Sequence, residues 1–441
     1  MPDTRDVQNF CFQWAKAIVG TLDARGIKCV PRKVVRSPRV MTLSVNMVDT
    51  SQIRSIFKFE EELALALNSE TVRISRSWGL INFEVSLPQE YHGILPLKSL
   101  GAGREVTVPV GIDTNDKISS ISLDDPTTPH VLVAGATGSG KSVLLQVVTL
   151  GLVKQNAPES LGAILIDGKA RGLMRFASIP HLVHPLITDM NEGKDALSWA
   201  VGEMNRRKKS PDLTERRLVI IIDEIAELLE ANGGVNGSVA QYMRQLTAMG
   251  RELNINVIAA TQHPTANTLG GAMAKVNMPM RLCGKVSDPG ASFVATGQQG
   301  IRAHRLTGNG DFVSVSGDNA TRLQVALPDQ SDWSGIPYVR GGHTTYAEKP
   351  DVSPVHQIQK APNKGVSGAE EYAKLEFTAE QIAFALSLQG GRGGVNYIAR
   401  SLSIGNSKAT ALKAFVADLN EAMKKRGAVV TSEKKDNDAE T

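Results

Sequence analysis

The spacing of hydrophobic positions changes along the chain and divides it into regions. Between residues 6 and 26 the apolar side chains recur mostly at three- and four-residue intervals, which predicts an amphipathic helix that stops near Gly26. Shorter patterns follow, of strand, helix, strand and strand type, at Val40–Val45, Phe59–Leu67, Val72–Ser75 and Leu80–Val85. We therefore predict a helical N-terminal extension over residues 1–30 and a small α+β domain over residues 31–98.

A second region, residues 99–337, alternates β-branched runs with helical stretches. Its strand candidates are His130–Ala134, Leu161–Ile166, Leu218–Ile222, Ile255–Ala260, Met280–Val286, Phe312–Val315 and Leu323–Ala326. The first four are short and almost continuously apolar, which is typical of strands that are buried on both faces. Alternation of such strands with helices predicts an α/β domain with a mostly parallel sheet.

The C-terminal part begins with residues 338–375, which are rich in glycine, proline and polar residues and predict a linker. Residues 376–431 then have helical spacing, and a polar tail at 432–441 is expected to be disordered. The order is helix, turn at Gly405, helix and short strand, which predicts a winged helix-turn-helix.

Charge supports a DNA-binding role for this last module. Between residues 391 and 426, seven basic side chains face two acidic ones, a local net charge of +5. The side chains at the start of the second helix would meet the DNA, and they are Asn406, Ser407, Lys408, Thr410 and Lys413. A module for protein contacts, or a basic face that is merely solvated, is the alternative.

Composition narrows the class of protein. The chain has 441 residues, 41% of them apolar, and a net charge of only +4, so nucleic-acid binding must use local patches. The three cysteines, Cys11, Cys29 and Cys283, match no zinc motif and are expected to be reduced thiols. No run approaches the ~20 apolar residues that span a bilayer. We expect a soluble, cytoplasmic protein with no membrane contact.

A phosphate-binding loop follows the first apolar strand. Gly135–Ser142 reads Gly-Ala-Thr-Gly-Ser-Gly-Lys-Ser and precedes an apolar helical stretch. Its glycines let backbone N–H groups point at phosphates, assisted by the helix N-terminus. We expect Gly135, Ala136, Thr137, Gly138, Ser139 and Gly140 to cradle ATP, Lys141 to reach its β- and γ-phosphates, and Ser142 to ligate Mg²⁺.

Two further strand ends complete the predicted site. Leu218–Ile222 is followed by Asp223 and Glu224, the pattern of a Walker B strand. Asp223 is expected to hold Mg²⁺ and Glu224 to polarise the attacking water, although acidic residues here could instead cap the next helix. Gln262 follows Ile255–Ala260 and could sense the γ-phosphate. A loop and a glutamate of this kind favour ATP hydrolysis over phosphoryl transfer to a small molecule.

Several segments together resemble the FtsK/SpoIIIE family of DNA translocases. They are Thr128–Ser142, Ile164–Lys169, Ile179–Leu182, Ala259–Pro264, Lys275–Arg281 and Gly308–Phe312, with Glu61–Leu67 and Val72–Ile74 upstream. The resemblance covers residues 35–430. It implies a RecA-like P-loop ATPase motor, a preceding small domain and a C-terminal domain that reads short DNA sequences. The membrane-spanning N-terminus of chromosomal members is expected to be absent.

The resemblance also implies a homo-oligomer, a hexameric ring around double-stranded DNA with ATP between subunits. An arginine from the neighbouring subunit would then stabilise the γ-phosphate, with Arg251 the first candidate and Arg281 the second. The 233–238 segment resembles a pore loop but lacks the family's lysines, so Lys275 becomes a candidate DNA contact. Where family members often carry an arginine, this chain has His263.

The predicted function is an ATP-driven pump for duplex DNA, acting on a chromosome, in plasmid transfer or in packaging of a viral genome. The main alternative from another class is a nucleotide-gated DNA-binding protein that assembles with ATP and does not move. Glu224 argues against it, because only hydrolysis needs a water-activating group. A small-molecule P-loop kinase is disfavoured by the basic C-terminal module and the Thr261–Arg281 segment.

Overall fold

The structure is a computed structural model that describes residues 4–77, 79–209, 215–265 and 278–337. Its N-terminal part is a four-stranded antiparallel sheet in the order β1-β2-β4-β3. The strands are β1 (Cys29–Arg36), β2 (Val40–Met47), β3 (Val72–Ser77) and β4 (Leu80–Ser86), and the helices are α1 (Thr4–Ala24), α2 (Ile53–Ile56) and α3 (Glu60–Ala66). The predicted helix and the four short elements are confirmed, and the chain turns after α1 at Gly26, where φ is +74°.

Helix α1 shares one hydrophobic core with this sheet. Its apolar side chains Ile18 and Leu22 are buried together with Met41, Leu43 and Phe83 of the strands. The apolar stripe of the helix faces the sheet, whereas Gln13 and Lys16 are exposed on its other side together with Phe12. The first helix and the four strands therefore pack as one layered unit.

The rest of the described chain is built on a nine-stranded sheet in the order β6-β5-β13-β12-β11-β7-β10-β9-β8. Its strands are β5 (Thr107–Asp113), β6 (Ile118–Ser122), β7 (Val131–Ala134), β8 (Leu161–Ile166), β9 (Arg217–Ile222), β10 (Ile255–Thr261), β11 (Met280–Cys283), β12 (Asp311–Ser316) and β13 (Asn319–Val325). All seven strands predicted in this region are confirmed, whereas β5 and β6 were not predicted.

The prediction of a mostly parallel sheet is wrong for half of it. Strands β11, β7, β10, β9 and β8 pair parallel with one another. Strands β12, β13, β5 and β6 pair antiparallel. Two of these four pairs, β5–β6 and β12–β13, are hairpins, and a short hairpin can only join antiparallel strands. The sheet is therefore mixed, with its parallel half carrying the predicted motifs.

Helices cover both faces of the parallel half, in the way expected for an α/β core. They are α4 (Lys141–Gln155), α5 (Met190–Lys209), α6 (Ile225–Ala231), α7 (Ser238–Met249) and α8 (Pro289–Thr296). Along β10, Ile258 and Ala260 enter the core that contains α4, while Val257 and Ala259 enter the core of α5, α6 and α7. This alternation explains why the parallel strands are continuously apolar in sequence.

Three other predictions concern the cysteines, membrane-spanning helices and the C-terminal part of the chain. All three cysteines are free, as expected, and burial raises the pKa of Cys283 to about 12. None of the helices in the described ranges has the length and apolar character needed to cross a bilayer. The linker at 338–375, the module at 376–431 and the tail at 432–441 lie outside the described residues, and so does Lys275.

Candidate nucleotide-binding site

The carboxyl ends of three parallel strands, β7, β10 and β9, lie side by side in the nine-stranded sheet. Ala134, at the end of β7, pairs with Thr261 of β10, and Ala259 pairs with Ile222 of β9. The N–H of Gly135 continues this ladder by donating to the Thr261 carbonyl at 3.1 Å. The residues that follow each strand are therefore neighbours, as the carboxyl ends of parallel strands must be. This edge brings together the phosphate-binding loop, the acidic pair and Gln262.

The loop between β7 and α4 depends on glycine at particular positions. Gly138 and Gly140 have φ angles of +81° and +99°, a region that side-chain-bearing residues rarely occupy. A Cβ on Gly140 would lie only 2.6 Å from the backbone nitrogen of Gly310. Helix α4 begins at Lys141, so its first free N–H groups face the space enclosed by the loop. This arrangement is a built cradle for an anion.

Lys141 joins the loop to the Walker B strand. Its Nζ donates to Asp223 Oδ1 at 2.8 Å and to the Asp223 carbonyl at 2.5 Å. Both residues are 4% exposed, so water screens this pair poorly. The predicted phosphate ligand and the predicted metal ligand are thus in direct contact.

Glu224 contacts the third strand end. Its Oε2 accepts a hydrogen bond from the Gln262 N–H at 2.8 Å, and Gln262 Oε1 accepts one from the Thr137 hydroxyl at 3.1 Å. Within the part of the chain that the structure describes, Glu224 Oε1 is buried and has no hydrogen-bond partner. One oxygen of Glu224 therefore holds its position while the other can accept from a ligand or a water.

Asp167 is a member of this site that the sequence analysis did not single out. It follows β8, is fully buried, and accepts from the N–H groups of Arg171 and Leu173 at 3.0 and 2.8 Å through Oδ2. A Cβ on Gly172 would lie 3.6 Å from Asp167 Oδ2 and 3.7 Å from Asp223 Oδ1, so the two carboxylates flank the same glycine. The available signal was a carboxylate directly after an apolar strand, the same signal that marked Asp223.

A turn from the antiparallel half supports the phosphate-binding loop from outside. The N–H groups of Asn309 and Gly310 donate to the carbonyls of Gly138 and Ser139, both at 2.8 Å. Asp311 then anchors the turn, since its Oδ2 accepts from the Thr307 N–H and hydroxyl at 2.7 and 2.9 Å. The late glycine turn of the family resemblance therefore has a structural role, which is to fix the loop backbone.

A buried ionic network continues from this turn to the N-terminal sheet. Arg322 donates to both oxygens of Asp311, at 2.8 and 2.7 Å, and to Glu84 Oε2 at 3.0 Å. Glu84 is also held by Arg73 at 2.6 Å. Burial alone would raise the pKa of Glu84, but Arg73 and Arg322 together keep that pKa below its ordinary value. Charge on all four residues thus links β4 to the hairpin that supports the nucleotide site.

Comparison with known proteins agrees with this geometry. Residues 102–214 match the model of the FtsK/SpoIIIE family. A DNA translocase FtsK from Leptospira interrogans is 32% identical over 257 residues, which are 53% of this chain and 26% of that protein. The DNA translocase FtsK of Caldanaerobacter subterraneus is 26% identical over 436 residues, 93% of this chain and 59% of that protein. The chain is thus similar to proteins of the FtsK/SpoIIIE family.

The match to these FtsK proteins is partial in length, since the chain spans 59% of the Caldanaerobacter protein and 56% of a Staphylococcus aureus relative. Among solved structures, the conjugation coupling protein TcpA of pCW3, in a monomer form with ATPγS, has a TM-score of 0.50. It is 21% identical, and the match covers 72% of this chain and 96% of that one. That likeness shows a shared fold.

The two candidate arginine fingers, Arg251 and Arg281, occupy different environments. Arg251 is exposed and precedes β10, at the edge of the sheet opposite the phosphate-binding loop. The length of β10, about 23 Å for seven residues, separates it from its own chain's site. Arg281 lies on β11, is 4% exposed, and donates to the carbonyls of Met278 and Val294. Burial lowers the pKa of Arg281.

An open cleft of about 480 Å³ extends from the phosphate-binding loop. Its lining combines the loop and the first turn of α4 with Arg39, Gln262 and three other segments, Gly93–Leu95, Asn309–Gly310 and Gln324–Leu327. Lys141 and Ser142 line the same space, whereas the C-terminal candidates Asn406, Ser407, Lys408, Thr410 and Lys413 are outside the described residues.

Proposed function

We propose that this chain is an ATP-hydrolysing motor that moves double-stranded DNA. The observation that carries the proposal is that Lys141 and Gln262 line one cleft while Glu224 accepts from the Gln262 N–H, in a chain similar to the FtsK/SpoIIIE family. The relatives named DNA translocase FtsK supply the substrate class, and the local geometry supplies the means of hydrolysis.

In this proposal Lys141 exchanges its contact with Asp223 for the β- and γ-phosphates of ATP. The exchange is favourable because a phosphate oxygen offers the buried ammonium another charge-assisted hydrogen bond. It also releases a carboxylate oxygen of Asp223. The cradle amides and the N-terminus of α4 bind the remaining phosphate charge.

Ser142 and Asp223 suit a magnesium ion. Both offer oxygen ligands, and Mg²⁺ is commonly bound by one or two protein oxygens together with substrate phosphates. Within the described residues no group of three or more His, Cys, Asp or Glu side chains forms a cage of its own, which fits a metal that arrives with its nucleotide. When bound, Mg²⁺ supplies positive charge against the phosphates.

Glu224 is the proposed base. Its Oε1 accepts a proton from water as the water oxygen attacks the γ-phosphorus, and ADP leaves with the bond to that phosphorus broken. Gln262 connects hydrolysis to β10, because its backbone N–H donates to Glu224 and its side chain contacts Thr137 of the cradle. Loss of the γ-phosphate can therefore alter the end of β10.

Assembly and DNA contacts extend the proposal beyond one subunit. A homo-oligomeric ring, hexameric in the family resemblance, would place Arg251 of one subunit at the nucleotide of the next. Arg251 is preferred over Arg281 because its side chain is exposed, whereas Arg281 is held by carbonyls of its own chain. Lys275 in the channel and the basic module at 376–431, proposed as a winged helix, are the DNA contacts.

The test is the rate of ATP hydrolysis with and without linear duplex DNA. We expect DNA to stimulate hydrolysis by the wild-type chain and expect the Glu224→Gln variant to bind ATP without turnover. Glu227→Gln is the matched control, since Glu227 lies one turn further along α6 with its side chain 43% exposed. Hydrolysis that ignores DNA would favour the alternative, a DNA-binding protein that assembles with ATP and does not translocate.

A further inference from the structure

The nucleotide cleft is larger than a triphosphate requires, and the part beyond the loop has a different lining. Residues 136–142, which bind phosphate in the proposed function, form one part of the cleft lining. Another part is formed by the aliphatic side chains of Ile94, Leu95, Ala326 and Leu327. The cleft volume of about 480 Å³ falls in the range of sites that enclose a whole small molecule. An apolar wall next to an anion cradle suits a ligand with a charged end and a flat apolar end.

This wall exposes large aliphatic side chains on a fixed backbone. Ile94 is 62% exposed and Leu327 is 44% exposed. The Leu327 N–H donates to the Leu95 carbonyl at 2.8 Å, and the Leu97 N–H donates back to the Leu327 carbonyl at 3.2 Å. At the other end, the Gly93 N–H donates to the Pro38 carbonyl at 2.7 Å. We call Ile94, Leu95, Ala326 and Leu327 the apolar shelf.

Arg39 stands at the same end of the cleft, directly after Pro38. Its Nη1 donates to His92 Nδ1 at 3.2 Å, and His92 Nε2 donates to the Leu87 carbonyl at 2.8 Å. The second bond places the imidazole proton on Nε2, so Nδ1 is free to accept from the arginine. Across the described ranges Arg39 makes no salt bridge, because the nearby Asp311 is held by Nε and Nη2 of Arg322. A half-buried guanidinium is therefore available to a ligand.

We infer that the apolar shelf and Arg39 hold the nucleoside end of the nucleotide, with the base against Ile94 and Leu327. The inference rests on the proposed function, which places the triphosphate at Lys141. A guanidinium is planar and weakly hydrated, so it can stack on a base and donate to ribose hydroxyls. The site would then distinguish a nucleoside triphosphate from an inorganic polyphosphate of the same charge.

Such binding would also join the two sheets of the chain. Arg39 precedes β2 of the N-terminal sheet, whereas Leu327 follows β13 of the nine-stranded sheet. One nucleotide would contact residues from both, and residues 93–95 lie in the segment between them. The N-terminal sheet is thereby a part of the nucleotide site and not only a neighbour of it.

The test compares binding of ATPγS and of inorganic tripolyphosphate by titration calorimetry. We expect the double variant Ile94→Ser/Leu327→Ser, and separately Arg39→Ala, to bind ATPγS about tenfold more weakly. Both should bind tripolyphosphate as the wild type does, because the cradle is intact. Leu65→Ser, at an 83% exposed position on α3, and Arg32→Ala, at an exposed position on β1, are the controls.

Three results separate the inference from the function beneath it. Selective loss of ATPγS binding supports the inference that the apolar shelf and Arg39 hold the nucleoside. Unchanged ATPγS binding, or an equal loss for both ligands, overturns it. Lys141→Ala should weaken both ligands, and a Lys141→Ala variant that binds both normally would overturn the proposed function regardless of the apolar shelf. The mutated shelf side chains are exposed, so unfolding temperatures are expected to remain those of the wild type.

Discussion

The guanidinium of Arg322 lies 3.0 Å from the carboxylate of Glu84, joining the nine-stranded sheet to the four-stranded sheet through a fully buried ion pair. The side chains of both residues are no more than 3% exposed. Arg322 also holds Asp311, which anchors the turn under the phosphate-binding loop. Charge in the N-terminal sheet is therefore connected to the geometry of the nucleotide site.

Replacing Glu84 by Gln should lower the free energy of unfolding by about 3–5 kcal/mol, because two buried arginines lose a charged partner. Since the folded-state pKa of Glu84 is lowered, its contribution is present above the unfolded pKa of about 4.3 and is lost as the pH falls through the folded value. Urea unfolding measures the change. Glu62→Gln, in an exposed pair with Arg25, should cost about 0–1 kcal/mol; equal losses would refute the network.

Gly140→Ala should impair nucleotide binding, because a side chain would be strained at φ +99° and would meet the Gly310 nitrogen at 2.6 Å. Backbone strain of this kind costs about 1–3 kcal/mol. ATPγS titration and thermal unfolding would measure both effects. The control is Gly202→Ala, at an exposed position in α5 with no atom within 4 Å, which should stabilise by about 0.5–1 kcal/mol. Normal nucleotide binding by the Gly140→Ala variant would contradict the cradle.

His130 should make stability depend on pH. Burial lowers the pKa of His130 to about 4, and its Nδ1 accepts from the Val257 N–H at 3.1 Å. The unfolded chain, with a histidine pKa of about 6.5, binds a proton that the folded chain resists. Stability from the neutral ring is therefore complete above about pH 6.5 and falls by roughly 3 kcal/mol as the pH drops toward 4. His130→Asn should reduce the dependence of the unfolding free energy on pH between about 6.5 and 4. An unchanged slope would show that other groups cause this dependence.

Deleting residues 376–441 should leave ATP hydrolysis intact while weakening any preference for particular DNA sequences. The physical reason is that the local charge of +5 in this region is separate in sequence from all the residues of the nucleotide site. Hydrolysis assays and competition binding on different duplexes measure the two properties. Loss of hydrolysis would instead make the segment part of assembly.

The parallel strands could be predicted from sequence because burial on both faces makes their residues continuously apolar. Strand β1 could not, since five of its eight residues are exposed and its charged residues mask the pattern. Antiparallel pairing of β12 with β11 depends on the path of the long connection between them, residues 284–310, which local periodicity does not encode. The prediction was therefore right for the seven strands that it named and wrong for the direction in which half of the sheet pairs.

The site shows the same division. The proximity of Lys141 to Asp223 was predictable, because each follows an apolar strand in a recognisable motif. Arg39 was not, because it belongs to another sheet and reaches the cleft only through the fold, 102 residues before Lys141 in sequence. The support that Gly310 gives to the loop also depends on contacts distant in sequence.

Displacement of a triplex strand is the direct test of ATP-driven movement along duplex DNA. A short third strand is bound at increasing distances from a loading site on linear duplex DNA, and its release is followed after addition of ATP. We expect the wild-type chain to release the third strand with a delay that grows with distance, and we expect no release with ATPγS or with Lys141→Ala. ATP hydrolysis by the wild type without any release, at a rate indifferent to duplex DNA, would contradict a translocating motor.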